Sequence, residues 1–136
     1  MAQNQSMNSQ VIIENVARFA DTRGWVIEPI GEHQLSTQRN THVALTEPGA
    51  IRGNHFHQHS TEVFVITGPG LVRWRENDLV REVQVPDEQT MRFTIPPGIS
   101  HAMKNTGPQP MLLVAFSTAT HDRANPDTQR DVLIEN

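Results

Sequence analysis

"GAIRGNHFHQHSTEV", Gly49–Val63, places three histidines and a glutamate within eight consecutive positions, 55–62. Two explanations compete for so much imidazole in one short stretch. One is a polar turn between two strands, in which each histidine is a hydrogen-bonded, half-buried residue. The other is one half of a metal site whose remaining ligand arrives from elsewhere in the chain. His55 and His57 stand at i and i+2, so on a strand both side chains point to the same face. Glu62 comes after four intervening residues, enough for a tight turn into the next strand. His59 lies within that turn, which places it exposed or at the mouth of any cavity.

The rest of the chain reads as short β-branched apolar runs separated by Gly, Pro or Asn, a strand pattern. Strands are expected at Val11–Asn15, Trp25–Ile30, His42–Thr46, Ala50–His57, Val63–Thr67, Leu71–Arg75, Leu79–Val85, Met91–Ile95, Ala102–Asn105 and Met111–Ser117. In "MRFTI" Met91, Phe93 and Ile95 alternate with Arg92 and Thr94. "MLLVAF", residues 111–116, is apolar throughout and suits a strand covered on both sides. Turn signals at "TGPG", "REND" and "IPPG" recur about every ten residues, a rhythm that fits a β-sandwich or small barrel. Helical periodicity is weak, amounting to a turn or two near Val16–Ala20 or after residue 120. The expected organisation is a flexible polar stretch at 1–10, one all-β domain over 11–120 and a C-terminal tail over 121–136.

Composition narrows the partners. At 136 residues the chain can bury a compact core. A formal net charge of −4 gives no electrostatic reason to expect nucleic acid or an anionic membrane. No apolar run approaches the length that spans a bilayer, and "MAQNQSMNSQ" lacks the apolar centre of a signal peptide. A cytoplasmic location is the expectation. Cysteine is absent, which excludes thiolate metal sites and disulfides; tyrosine is absent too. Open sheet edges are usually covered or paired, and twofold dimers are the commonest closed assembly, so a homodimer is expected.

Further along, "PPGISHAMKN" supplies His101 at the start of another strand. If these strands are neighbours in a barrel, His55, His57, Glu62 and His101 converge at one depth. Three neutral imidazoles and a carboxylate form a mixed N/O set suited to one divalent first-row metal, with positions left open for water or substrate.

Both segments resemble the paired motifs of the cupin superfamily. The first runs Gly49, five residues, His55, one residue, His57, four residues, Glu62; the second runs Pro96, one residue, Gly98, two residues, His101, three residues, Asn105. Two positions depart from the usual pattern. The glycine that commonly comes after the glutamate is displaced to Gly68 or Gly70, and Thr90 replaces the glycine before the second motif. The resemblance implies a single-domain cupin, a double-stranded β-helix or jelly-roll barrel. "RFADTRGWVIEPIG" followed by "IRGNHFH" resembles the sugar-nucleotide branch, and "ANPDT" (Ala124–Thr128) is similar to the metal-binding cupin domain of bifunctional capsule-synthesis enzymes. Those enzymes join a reductase domain to a cupin that epimerises C3 of a 4-keto-hexose nucleotide.

That resemblance implies a small-molecule substrate, a 4-keto-6-deoxy sugar nucleotide, epimerised through an enolate. It makes zinc the first expectation at the tetrad, with manganese, iron and nickel also compatible with the donors. Metal-free relatives pair a histidine base with a tyrosine acid, and this chain has no tyrosine to supply. Arginine suits a pyrophosphate. Arg52 matches the branch's "R-G-x-H" arginine, and Arg73 and His59 are further substrate-binding candidates. Strict alternation puts Arg52 opposite His55 unless Gly53 bulges the strand; Arg73 shares a face with Arg75. Two other functions fit the same ligands: an iron-dependent dioxygenase and a non-catalytic sugar-binding or sensor module.

Overall fold

Alternation between buried and open positions organises most of the chain. The computed structural model describes residues 9–136; residues 1–8, the larger part of the stretch expected to be flexible, lie outside the described residues. The elements in chain order are β1 (Ile12–Asn15), β2 (Phe19–Asp21), β3 (Gly24–Val26), α1 (Glu32–Leu35), β4 (Asn40–Thr46), β5 (Ile51–His57), β6 (Glu62–Thr67), β7 (Gly70–Glu76), β8 (Leu79–Val85), β9 (Thr90–Ile95), β10 (Ser100–Asn105), β11 (Met111–Ser117) and β12 (Thr128–Arg130). Every strand pairing is antiparallel. One sheet has the order β1-β9-β6-β11-β4, the other β12-β5-β10-β7-β8, and β2 pairs with β3 as a separate hairpin. No helix among the described residues is long and apolar enough to cross a membrane.

The two sheets enclose one apolar core. Phe64 and Phe93 stack with ring centroids 5.1 Å apart, and Val72, Trp74 and Met103 meet them from the opposite sheet. Phe93 and Ile95 are buried as the alternation in "MRFTI" requires. This is the all-β jelly-roll barrel of the cupin fold.

Local departures from expectation have physical causes. The region 25–30 is not one strand: β3 ends at Val26, and Pro29 and Gly31 break the extended chain ahead of the single turn of α1. Phe19 and Ala20, at the end of the stretch Val16–Ala20 read as a possible turn of helix, lie in strand β2. The strand covered on both faces is β6, where Glu62 to Ile66 are all buried, rather than β11. Residues 29–34 cross the outer face beside it: Arg92 donates to Pro29 O (2.9 Å) and Gln34 to Thr94 (3.4 Å). They leave the outer side of β11 half-open at Leu112, Val114 and Phe116. Thr90, standing where the motif usually has glycine, is buried and accepts Arg18 Nε at 2.7 Å; the Arg18 guanidinium then covers Trp25 at 4.6 Å.

The last segment is part of the barrel. β12 pairs with β5. Asn54 accepts the backbone N–H groups of Leu133 (2.8 Å) and Ile134 (3.1 Å) and donates to Ile134 O (3.0 Å). Ile134 itself is buried. Ahead of β1, Ser9 and the Gln10 N–H bond to the buried Glu76 carboxylate.

Candidate functional site

A bulge in β5 decides which side chains share the interior. His55 lies opposite His101 and Gly53 opposite Ala102, so β5 takes two steps where β10 takes one. Gly53 has φ +89° and Asn54 φ +58°. Glycine is required at 53 because a Cβ there would sit 2.7 Å from His101 O. Asn54 is among the side chains that tolerate the left-handed region, and here its amide is anchored to residues 133 and 134. The extra residue reverses the alternation, so Arg52 faces the same cavity as His55 and His57.

His55 and His57 from β5, Glu62 from the start of β6 and His101 from β10 meet at one depth. One potential ligand atom from each lies within 4.8 Å of all the others. His57 Nε2 is 3.2 Å from Glu62 Oε2, and His101 Nε2 is 3.0 Å from Glu62 Oε1. His101 is completely buried, stacked against Phe64 at 5.9 Å, and its Nδ1 is 3.0 Å from Ile99 O. A carbonyl only accepts, so Nδ1 carries the proton. Nε2 then meets the Glu62 carboxylate either as the second N–H of a charged ring or, in a neutral ring, with a cation between them.

The electrostatics agree with a cation site. Burial, with His101 close by, pushes His55 down to about 4, which keeps it a neutral donor near pH 7. Burial alone would raise Glu62, but hydrogen bonds with His101 and His57 hold it well below the usual carboxylate range. For His57 burial acts downward, and the Glu62 hydrogen bond and charge, with Asp127, outweigh it and raise the group. Three imidazoles and one carboxylate therefore fit a divalent first-row metal in donor type and spacing.

The tetrad sits between two lobes of one cavity. The inner lobe, about 310 Å³, is walled by Ala44, Phe64, Met103, Leu113 and Ala115, with Arg52 at its rim. Arg52 donates through Nε to Thr46 Oγ1 (2.8 Å) and through Nη2 to Leu45 O (3.0 Å), which fixes its guanidinium there. The outer lobe, about 390 Å³, is lined mostly by polar residues, among them Asn40, Ser117, Thr120, Asp122 and Asn125. His42, His57, Glu62, His121 and Thr128 line both.

The other two substrate-binding candidates lie elsewhere. Arg73 points to the outer face of β7, opposite buried Val72 and Trp74, where it pairs with Glu82 at 2.8 Å and donates to Leu133 O at 2.9 Å. His59 is in the turn, exposed, outside both lobes, with its backbone N–H on Asp127. Sequence reasoning passed over His42 and His121 in the cavity, and over the role of Asp127. The alternation His42, Ala44, Thr46 was the available signal for the first.

Comparison with known proteins gives a consistent family. The polysaccharide biosynthesis C-terminal domain matches residues 19–129. The UDP-2-acetamido-2,6-beta-L-arabino-hexul-4-ose reductase of Pseudomonas aeruginosa is 25% identical over 118 residues, 84% of this chain and 31% of that protein. This chain thus spans about a third of that relative's length. The spore coat polysaccharide biosynthesis protein SpsL of Bacillus subtilis is 25% identical over 130 residues, 88% of this chain and 86% of SpsL. Among solved structures, the sugar 3,4-ketoisomerase QdtA from Thermoanaerobacterium thermosaccharolyticum, in complex with TDP, shares the fold with a TM-score of 0.69 at 17% identity, over 92% of this chain and 90% of QdtA.

Proposed function

The chain belongs to the polysaccharide biosynthesis C-terminal domain family, within the sugar-nucleotide branch of the cupins, and on that premise we propose that it exchanges the C3 proton of a 4-keto-6-deoxy sugar nucleotide, inverting that centre. The observation that carries the reading is the tetrad of His55, His57, Glu62 and His101, within 4.8 Å at the junction of the two lobes. These four side chains would hold one divalent cation, zinc by preference. Bound there, it would supply Lewis acidity for the oxyanion that forms when a proton leaves the carbon beside a ketone.

The protein's own groups do the rest. Arg52, held at the rim by Thr46 and Leu45, offers its remaining Nη N–H groups to the diphosphate. The polar side chains of the outer lobe receive the sugar hydroxyls, and the apolar walls of the inner lobe limit water at the reacting carbon to what enters from the outer lobe. The names of the relatives support the substrate class: one acts on a UDP-linked hexul-4-ose and a structural neighbour holds TDP. The absence of tyrosine supports a route that does not use a tyrosine acid.

The test is incubation of the metal-loaded protein in D2O with UDP- and dTDP-linked 4-keto-6-deoxyhexoses, followed by mass spectrometry. Deuterium at C3 is expected, lost with chelator and restored by zinc. No incorporation from several such substrates by fully loaded protein overturns the reading. Binding without exchange then assigns a sensor role, and oxygen uptake a dioxygenase.

A further inference from the structure

We infer that His42 is the proton-transfer residue that works across the cavity from the tetrad, an inference that rests on the proton-exchange reading above. His42 stands on β4 with its side chain on the inner face, beside Ala44, and lines both lobes. The strand register sets its distance from the tetrad. His42 lies opposite Ala115 on β11, and Ala115 lies opposite Phe64 on β6. The row His42–Ala115–Phe64 therefore crosses two strand spacings, roughly 10 Å. At its far end Phe64 stacks on His101. The middle of the row is a methyl group, so no side chain of that row fills the space between the His42 imidazole and the tetrad. A sugar ring fits that gap, with one face toward each.

Elimination among the cavity's acid–base groups leads to the same residue. Tyrosine and cysteine are absent from the chain, and its single lysine, Lys104, is outside both lobes. Glu62, His55, His57 and His101 form the tetrad. Asp127 is occupied by the backbone N–H groups of residues 58–60 and the Ser60 hydroxyl, and Asp122 by those of Ala124 and Asn125. His42 and His121 remain, and neither side chain has a hydrogen-bond partner among the described residues. His121 stands on the connection between β11 and β12, whereas His42 is held on a barrel strand, which places a reacting group more accurately.

The step balances without another reactant. The His42 lone pair takes the proton from C3. The C3–H electrons become the C3=C4 π bond, and the C4=O electrons move to O4, which faces the tetrad. Water entering from the outer lobe protonates C3 on the opposite face, the π electrons forming the new C–H bond. The imidazolium and the hydroxide are then neutralised through the solvent of the outer lobe, which His42 lines.

The test compares wild type with His42→Gln and His42→Gly, each loaded with zinc and checked for metal content and thermal midpoint. Deuterium incorporation into the 4-keto sugar nucleotide should fall about 10²–10⁴-fold in both variants, with KM changed little and metal content unchanged. Added imidazole should restore part of the rate in His42→Gly, which a merely structural role would not allow. Wild-type exchange in His42→Gln overturns the assignment, as does loss of exchange that tracks loss of metal. Exchange lost in His121→Asn but kept in His42→Gln also overturns it. A wild type that exchanges nothing overturns the proposed function itself, and this inference with it.

Discussion

Ser60 gives both its backbone N–H and its hydroxyl to the carboxylate of Asp127, at 3.0 and 2.9 Å. The N–H groups of Gln58 and His59 reach the same carboxylate at 3.1 Å. The bracketed turn is the one that joins His57 to Glu62, so a residue far along the chain sets the separation of two tetrad members. Asp127→Ala should lower stability by about 2 kcal/mol, the scale of hydrogen bonds to a charged acceptor. It should also weaken zinc binding roughly tenfold or more, as loss of a supporting group around a metal site does. Denaturant unfolding and competition with a chromophoric chelator measure the two effects, and Asp127→Asn should show less of both.

Gly53 and Gly49 allow a controlled comparison of two glycines with positive φ, +89° and +80°. At Gly49 nothing lies within 4 Å of an added Cβ, so Gly49→Ala should cost only the left-handed backbone penalty, about 1 kcal/mol. At Gly53 the same methyl meets His101 O at 2.7 Å and Ala102 Cα at 3.0 Å. Gly53→Ala should therefore cost clearly more, about 3 kcal/mol. Equal denaturant midpoints for the two variants would contradict the bulge geometry.

Zinc should stabilise the fold by linkage. At a free concentration one hundred times its Kd, the gain is about 2.7 kcal/mol, because the assembled tetrad exists only in the folded state. His55→Asn should abolish the gain while leaving the metal-free protein folded. Unfolding curves with zinc and with EDTA decide it; superimposed curves for wild type count against a metal at the tetrad.

Asp131 links the last segment to the barrel, accepting Ser100 Oγ at 2.6 Å and Arg75 Nε at 3.1 Å. The Ser100 hydroxyl first, and the Arg75 guanidinium second, hold its carboxyl below the usual 3.8 against the opposing effect of burial. A group whose folded value is depressed contributes stability above its unfolded value and loses it as pH falls through the folded one. Asp131→Asn should therefore be less stable than wild type at pH 7, by about 1 kcal/mol or less for a partly exposed pair. The difference should close below about pH 4. Paired thermal melts between pH 3 and 7 would show it.

A homodimer is proposed through the outer face of β4 and β11. Val43 and Leu45 are 66% and 59% exposed, and Leu112, Val114 and Phe116 continue the same apolar face at half burial. β4 is also a sheet edge, and covering an edge and an apolar patch together is the common solution. Light scattering should give twice the chain mass, and Val43→Glu should shift it to the monomer. A wild-type monomer at every concentration contradicts the proposal.

The tetrad was legible because its spacing is local: i and i+2 on one strand, a short turn, and a second motif with its own proline and glycine. The side taken by Arg52 depended on a bulge, and Gly53 announced where one could occur. Asn54 did not, since its left-handed backbone is held by contacts with residues 133 and 134. The same distance hid β12. Its short polar run, "TQR", carries no apolar period and is strand only because β5 offers it a partner. The burial of β6 rather than β11 was equally invisible, because it is decided by where residues 29–34 lie.

The anchoring of residues 127–134 to β5, β7 and β10 also orders events in time. Ribosomal synthesis releases His55, His57, Glu62 and His101 well before Asp127 and Ile134, and Asn54 waits 80 residues for its partner. Contacts of such high sequence separation form slowly. On a nascent chain the four tetrad residues are thus made before the segment that walls the outer lobe, and a cation bound there as proposed would have to pass that segment to leave.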